Sequence, residues 1–225
     1  MMYLPQDYIS DLNVRMSHHS TALEGNTLTL DETRTLLLEG KSPNRSVELR
    51  EIYEIKSNAR ALEEVLKSLW TNEHFSELLV LRLHYFIGES TVTFPGEYKK
   101  VNNYMVGSDF QTTPANRVPF IMSQWIDGVK SDLETVEAEE FFYHLAKSHI
   151  EFEKIHPFSD GNGRTGRMIM VFQCFKYGII PPVIPVQSKS EYLAFLRTEN
   201  AKDFGKWLKE LSEIEGERLR GFKGF

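Results

Sequence analysis

Ile155-His156-Pro157-Phe158-Ser159-Asp160-Gly161-Asn162-Gly163-Arg164-Thr165-Gly166-Arg167 is the stretch around which the rest of the chain is organised. It sets out a base, a carboxylate able to ligate a metal, a glycine-rich turn and two arginines within thirteen residues. An amphipathic pattern upstream ends at Ile155-His156-Pro157, because proline disfavours a helical conformation at the residue before it. Downstream, Met168 to Tyr177 reads as a helix closed by Gly178. The loop is therefore expected between two helices, opening onto the N-terminus of the second. Unpaired backbone N–H groups and the positive end of the helix dipole gather there. Gly161 and Gly163 have no Cβ to keep a ligand at a distance. The combination predicts an anion site, suited to phosphate.

Working outward, the sequence predicts a mainly α-helical chain. Ile9, Leu12, Met16 and Leu23 recur at roughly helical spacing over residues 8–23, and Gly25-Asn26 supplies a stop. Thr29 with Glu32 has capping-box spacing and opens a second helix through Leu36, Leu37 and Leu38 to Gly40. From Val47 to Trp70, Ile52, Ile55, Ala59, Leu62, Leu66 and Leu69 form one apolar stripe, and the other face reads as charged and solvated. Further helices are expected over residues 75–87, from Val118 to Val129 and from Val136 to Lys154, the last delivering the chain to His156. Ile179 to Pro185 cannot be helical, and helices resume over Lys189–Thr198 and Lys202–Leu219. Thr91 to Pro119 alone carries a hairpin pattern, with Val92, Phe94, Tyr98, Val101, Tyr104, Val106 and Phe110 among glycines and prolines. Two parts are expected in one compact unit: an N-terminal helical region over 1–70, and a core with C-terminal helices over 71–225.

Composition narrows the function. The 225 residues are 41% hydrophobic, which supports a folded core, and the net charge of −6 provides no basic surface for nucleic acid. Cys174 is the only cysteine and lies in an apolar run, so a buried thiol in a reducing, cytoplasmic setting is expected. No segment has the length and apolarity of a membrane span, and Met1 to Asp7 lacks the pattern of a signal peptide. His84, His144 and His149 fall in helical patterns, with the last two too far round their helix to share a metal, and all three read as structural. His18 and His19 open no metal spacing.

His156 to Arg167 resembles, position for position, the signature loop of the Fic family, His-Pro-Phe-x-Asp/Glu-Gly-Asn-Gly-Arg-x-x-Arg. The resemblance implies an all-α helical bundle with a short β-hairpin flap. It also implies a protein adenylyltransferase, a nucleotidyltransferase that moves AMP from ATP to a Ser, Thr or Tyr hydroxyl of a target protein. In that reading His156 is the general base, for which an imidazole titrating near neutrality is suited. Asp160 ligates Mg2+, a hard cation that prefers carboxylate oxygen. Gly161, Asn162 and Gly163 form the anion hole, with the Asn162 amide on the α-phosphate, and Arg164 and Arg167 hold the outer phosphates. A phosphotransferring branch resembling Doc has lysine where this chain has Gly163, so the adenylylating form is expected. Phe158 is expected to anchor the loop in the core.

The flap, about 99–112, would hold a target protein as an added strand. Self-association into a homo-oligomer is a further partner in view, with neither nucleic acid nor membrane expected. Ser20-Thr21-Ala22-Leu23-Glu24-Gly25-Asn26 resembles the family's inhibitory pattern, Ser/Thr-x-x-x-Glu-Gly/Asn, placed before the core on a helix over about 8–25. There the resemblance implies that Ser20, Glu24 and Gly25 form a switch in which Glu24 pairs with Arg167 and bars the ATP γ-phosphate from a productive pose. Two other readings stay open: an enzyme that removes AMP with Glu24 orienting a water, and a non-catalytic nucleotide-binding module.

Overall fold

The computed structural model describes residues 4–103 and 112–223. Nine α-helices are found among them: α1 Gln6–Leu23, α2 Leu30–Glu39, α3 Leu49–Trp70, α4 Glu77–Gly88, α5 Val118–Thr135, α6 Phe141–Ile155, α7 Asn162–Tyr177, α8 Lys189–Thr198 and α9 Ala201–Lys223. The capping box forms as read: the Thr29 hydroxyl accepts from the Glu32 N–H at 3.2 Å while Glu32 Oε2 accepts from the Thr29 N–H at 2.9 Å. Gly40 ends α2 in the left-handed region.

α7 is the axis of the bundle. Its residues from Met168 to Cys174 are all buried, so the helix is covered on every side and shows no amphipathic stripe. α1, α3, α4, α5 and α6 all pack against it. Tyr8 and Leu12 from α1, Leu62 and Val65 from α3, Leu79 and Leu83 from α4, and Met168 and Phe172 from α7 share one core. A second, around Phe204, joins α6, α8 and α9 to the far side of α7. α1 is also clamped to α9 by charge. Arg15 forks onto both oxygens of Glu215 at 2.5 and 2.8 Å, and Arg218 forks onto Asp11 at 2.8 Å for each bond. Arg15, Asp11 and Glu215 are all buried, and removing one partner of such a set costs about 3–5 kcal/mol.

Three expectations are corrected. The face of α3 opposite its apolar stripe is not simply solvated, because Glu54, Asn58 and Glu64 are buried and hydrogen-bonded or ion-paired to neighbouring segments. α6 begins at Phe141 rather than Val136, since Glu137 to Glu140 form a turn. The β-hairpin flap finds no support: no strand occurs among the described residues, and 92–103 and 112–114 run as turns and coil. Residues 104–111, the middle of that expected hairpin, lie outside the described residues.

Candidate active site

The signature loop joins α6 to α7 through two left-handed residues. His156 caps α6 with φ 49° and ψ 59°, and its N–H donates to the Phe152 carbonyl at 2.9 Å. Pro157 denies it the right-handed helical region, so the chain must turn here. Gly161, at φ 77°, is the N-cap of α7. α7 therefore starts at Asn162, not at Met168 as the sequence suggested, and Asn162, Gly163, Arg164 and Arg167 are carried on its first two turns. The glycines at 163 and 166 obscured that turn, being poor helix formers that read as loop.

Several side chains fix the loop from behind. Asn162 Oδ1 accepts from the Phe158 N–H, and Asn162 Nδ2 donates to the Phe158 carbonyl, each at 2.9 Å. That amide, expected to face a phosphate, thus spends its oxygen and one hydrogen on its own loop. The Phe158 ring is fully buried and stacks on His84 with centroids 3.6 Å apart. His84 Nδ1 accepts from the Gly96 N–H at 2.9 Å, so the ring proton sits on Nε2, which donates to the Asp160 carbonyl at 3.1 Å. Burial pushes this imidazole down to about 4, which keeps it neutral and preserves both bonds. His84, read from the sequence as structural, is therefore a pin between the signature loop and the segment after α4. Its partners are backbone groups, which no residue pattern announces.

His156 is half-buried, and its Nδ1 is sealed from solvent without a hydrogen-bond partner. Burial and the nearby charge of Lys99 lower its pKa to about 4, so the ring is neutral at pH 7 and can accept a proton. Lys99 is itself buried, donates to Asn103 Oδ1 at 2.6 Å and Thr112 Oγ1 at 3.1 Å, and is pushed down to about 8 by burial.

Asp160 is ringed by donors. Its Oδ1 accepts from the Gly161 N–H at 2.6 Å and its Oδ2 from Arg50 Nη2 at 2.6 Å, with Arg164 Nη2 3.7 Å from Oδ1. Burial works to raise this carboxyl, but Arg164, the Gly161 N–H and Arg50 outweigh it, and the net shift is downward. Among the described residues no group of three or more His, Cys, Asp or Glu could cage a metal. Mg2+ at nucleotide sites needs only one or two carboxylates beside phosphate oxygens, so an ionised Asp160 fits it. Arg50 also donates to Glu54 Oε1 at 3.0 Å, and Glu54 Oε2 accepts from Asn26 at 3.0 Å. Neither Arg50 nor Glu54 was singled out from the sequence; their spacing of four on one helix was the available signal.

The two arginines differ. Arg164 is 2% exposed, and its Nε and Nη1 have no acceptor; Glu54 Oε1 lies 3.6 Å from Nη1. Arg167, 5% exposed, donates from Nε to Ser20 Oγ at 3.0 Å, from Nη1 to the Tyr192 hydroxyl at 3.2 Å, and from Nη2 to the Ser20 carbonyl at 2.8 Å and Glu24 Oε1 at 2.7 Å. The Glu24 side chain is 43% exposed; burial acts to raise its pKa, Arg167 outweighs that, and the carboxyl ends below its usual range. Gly25, at φ 108°, turns the chain out of α1 just after it. A Cβ on Gly163 would lie 2.3 Å from Glu24 Oε1, so the carboxylate occupies the space above that glycine. The site thus brings His156, Asp160, Gly161, Asn162, Gly163, Arg164 and Arg167 together with Ser20 and Glu24 from α1.

Residues 74–174 match the model of the Fic/DOC family. The chain is 30% identical over 212 residues to protein adenylyltransferase fic-1 of Caenorhabditis briggsae, an alignment covering 91% of this chain and 40% of that protein. It is 29% identical over 208 residues to protein adenylyltransferase Fic of Drosophila willistoni, covering 90% and 40%. The chain thus spans about 40% of the length of the curated relatives it matches. Among solved structures, a Fic domain containing signaling protein from Bacteroides thetaiotaomicron VPI-5482 superposes with a TM-score of 0.85 at 24% identity, over 98% of this chain and 93% of that one. A Fic family protein from Desulfovibrio desulfuricans G20 gives 0.75 at 25% identity, over 96% and 67%.

Proposed function

The chain belongs to the Fic/DOC family, and from that premise we propose that it is a protein adenylyltransferase held in check by its own Glu24. ATP is the substrate that this activity requires. In the reaction the oxygen of a Ser, Thr or Tyr hydroxyl bonds to the α-phosphorus, the bond from that phosphorus to the bridging oxygen breaks, and pyrophosphate leaves. The hydroxyl proton passes to neutral His156. The observation that carries the reading is Arg164: a guanidinium 2% exposed, with Nε and Nη1 unpaired, on the first turn of the helix that the signature loop opens onto. Buried donors left without partners are costly, and an incoming phosphate relieves the cost.

The other roles follow from position. The N–H groups at Asn162 and Gly163, and the second amide hydrogen of Asn162, would meet charge developing on the α-phosphate. Asp160 would hold Mg2+, which when bound neutralises phosphate charge; Arg50 would then give up its bond to Asp160 Oδ2. Arg167 would take the γ-phosphate once Glu24 leaves. Ser20 and Tyr192 hold that guanidinium without help from Glu24, so removing the glutamate would leave it in place. We read residues 1–70 as the region that supplies the inhibitory helix and 71–225 as the Fic core with its C-terminal helices. Lys99 and Asn103, at the start of the 99–112 segment, are tied to the signature loop, through the Lys99 N–H to the Pro157 carbonyl at 2.8 Å and Asn103 Nδ2 to the Phe158 carbonyl at 2.9 Å. A target protein docked against this segment would thereby lie beside the signature loop. Buried, unpaired Cys174 supports a reducing, cytoplasmic setting.

The reverse reaction is favoured by one detail. Glu24 Oε1 is taken by Arg167 while Oε2 accepts no bond among the described residues, leaving it able to orient a water that would remove AMP from a modified protein. The direction of the chemistry is tested with labelled ATP and Mg2+: label on the α-phosphate should reach protein and label on the γ-phosphate should not. His156→Ala should cut incorporation by about a hundredfold to ten-thousandfold. Transfer of γ-label would instead mean phosphotransfer, and an unimpaired His156→Ala would remove the base from the mechanism.

A further inference from the structure

Arg167 is buried at the floor of the site, and which way its fork faces depends on what holds it from behind. Ser20 fixes the edge formed by Nε and Nη2, and Glu24 is the acceptor that a triphosphate would displace. On the other edge, Nη1 donates to the Tyr192 hydroxyl at 3.2 Å, and that hydroxyl lies 2.8 Å from His149 Nε2. An arginine can only donate, so the tyrosine oxygen is the acceptor towards Arg167. The 2.8 Å contact ties that hydroxyl to His149, whether its hydrogen goes to Nε2 or its second lone pair accepts from Nε2–H. Burial holds His149 down to about 3, so the ring is neutral.

Both rings are 2% exposed, and both pack on Phe204 with centroids 5.9–6.0 Å from their neighbours in the cluster, so neither is free to turn away. Behind them lies Glu153, also buried, with Oε1 lacking any partner and with burial raising its carboxyl to about 8. An Arg167 released from Tyr192 would have this unpaired acceptor oxygen to turn towards, away from the nucleotide. Tyr192 lies on α8, beyond the residues 74–174 that match the family model.

We propose that Tyr192 and His149 are positioning residues that keep the Arg167 fork facing the terminal phosphate of ATP. This rests on the reading of Arg167 as the γ-phosphate ligand. The test compares ATP with ADP, which lacks that phosphate, by calorimetric titration of the full chain carrying Glu24→Gly. Arg167→Ala in this background should abolish any preference for ATP over ADP. Tyr192→Phe removes one oxygen from an otherwise unchanged ring, and should weaken ATP binding about tenfold while leaving ADP binding within about twofold. His149→Leu should do the same, and His149→Gln, which keeps an acceptor, should restore much of the preference. If Arg167→Ala leaves the ATP preference intact, the γ-phosphate reading fails and the proposal falls with it. If Arg167→Ala removes the preference but Tyr192→Phe weakens both nucleotides equally, or neither, Tyr192 is structural and the proposal alone is overturned.

Discussion

Arg164 and Arg167 stand one turn apart on α7 and are both buried, yet their surroundings are opposites. Arg167 is saturated by Ser20, Tyr192 and Glu24, while Arg164 keeps Nε and Nη1 unpaired with its carboxylates no closer than 3.6 Å. Folding does not usually leave a buried guanidinium so poorly met, since each orphaned donor carries its desolvation cost. The contrast divides the site into one half open to an anion and one half filled by an anion of the protein's own. It also locates control: the open half would bind nucleotide whatever α1 does, and the filled half would decide whether that nucleotide lies in a productive pose.

The largest effect should come from the open half. With Glu24→Gly as the parent, Arg164→Ala should lower the initial rate of AMP transfer by about 10²–10³, as the loss of one donor to developing charge does elsewhere. Arg164→Lys should recover only part of it, because a point charge cannot replace the fork. A rate within twofold of the parent would mean that the orphaned donors have no ligand role.

Stability should show the reverse order. Arg167→Met strands the buried Ser20 oxygens and frees Glu24, whose side chain is partly exposed, and should cost about 1–3 kcal/mol, a drop of roughly 2–12 °C in Tm. Arg164→Met removes a charge that is barely paired, and should stay within about 1 kcal/mol of wild type. Equal drops in the two variants would erase the contrast.

A smaller effect separates the loop's pins from its ion pair by pH. His84 and His149 are neutral in the fold, with pKa values lowered to about 4 and about 3, whereas the unfolded rings titrate near the model value of 6.5. The unfolded chain therefore binds more protons as pH falls below 6.5, and stability falls with it, by about 1–2 kcal/mol per ring between pH 6.5 and 5. Glu24 is held below its model value of 4.5, so its bond to Arg167 is complete above that value and is lost only as pH falls further, through the folded pKa. Thermal melts of wild type and His84→Gln between pH 6.5 and 5 should thus show a smaller loss of stability in the variant, while the Glu24–Arg167 bond persists. Equal losses in the two proteins would contradict the neutral pin at His84.

Much of this was legible in the sequence, and the exceptions have a common cause. Thr29 with Glu32, the stripe from Ile52 to Leu69 and the Pro157 break are local signals, decided within one or two turns of chain, and they held. The loop residues were legible because the motif packs its chemistry into consecutive positions. What was missed is long-range. Glu54 is buried because Asn26, Arg50 and Arg164 converge on it from three segments, and its sequence neighbours read as a solvated face. His84 earns its place through the backbone of Gly96 and Asp160. The start of α7 was hidden for a different reason: Gly163 and Gly166 suppress the helical signal where close approach by Glu24 and Glu153 leaves no room for a Cβ.

The central claim is that Glu24 fills a place meant for phosphate, and the most direct measurement is AMP incorporation from α-labelled ATP by wild type, Glu24→Gly and Glu24→Gly with Arg167→Ala, at equal concentration. Glu24→Gly should be faster than wild type by about 5- to 150-fold, the span of a coupling of about 1–3 kcal/mol between ligands of one protein, and the added Arg167→Ala should cancel the gain. A Glu24→Gly protein no faster than wild type towards any acceptor, itself included, would contradict inhibition by Glu24. Loss in that variant of an AMP-removing activity present in the wild type would make the reverse reaction the protein's own.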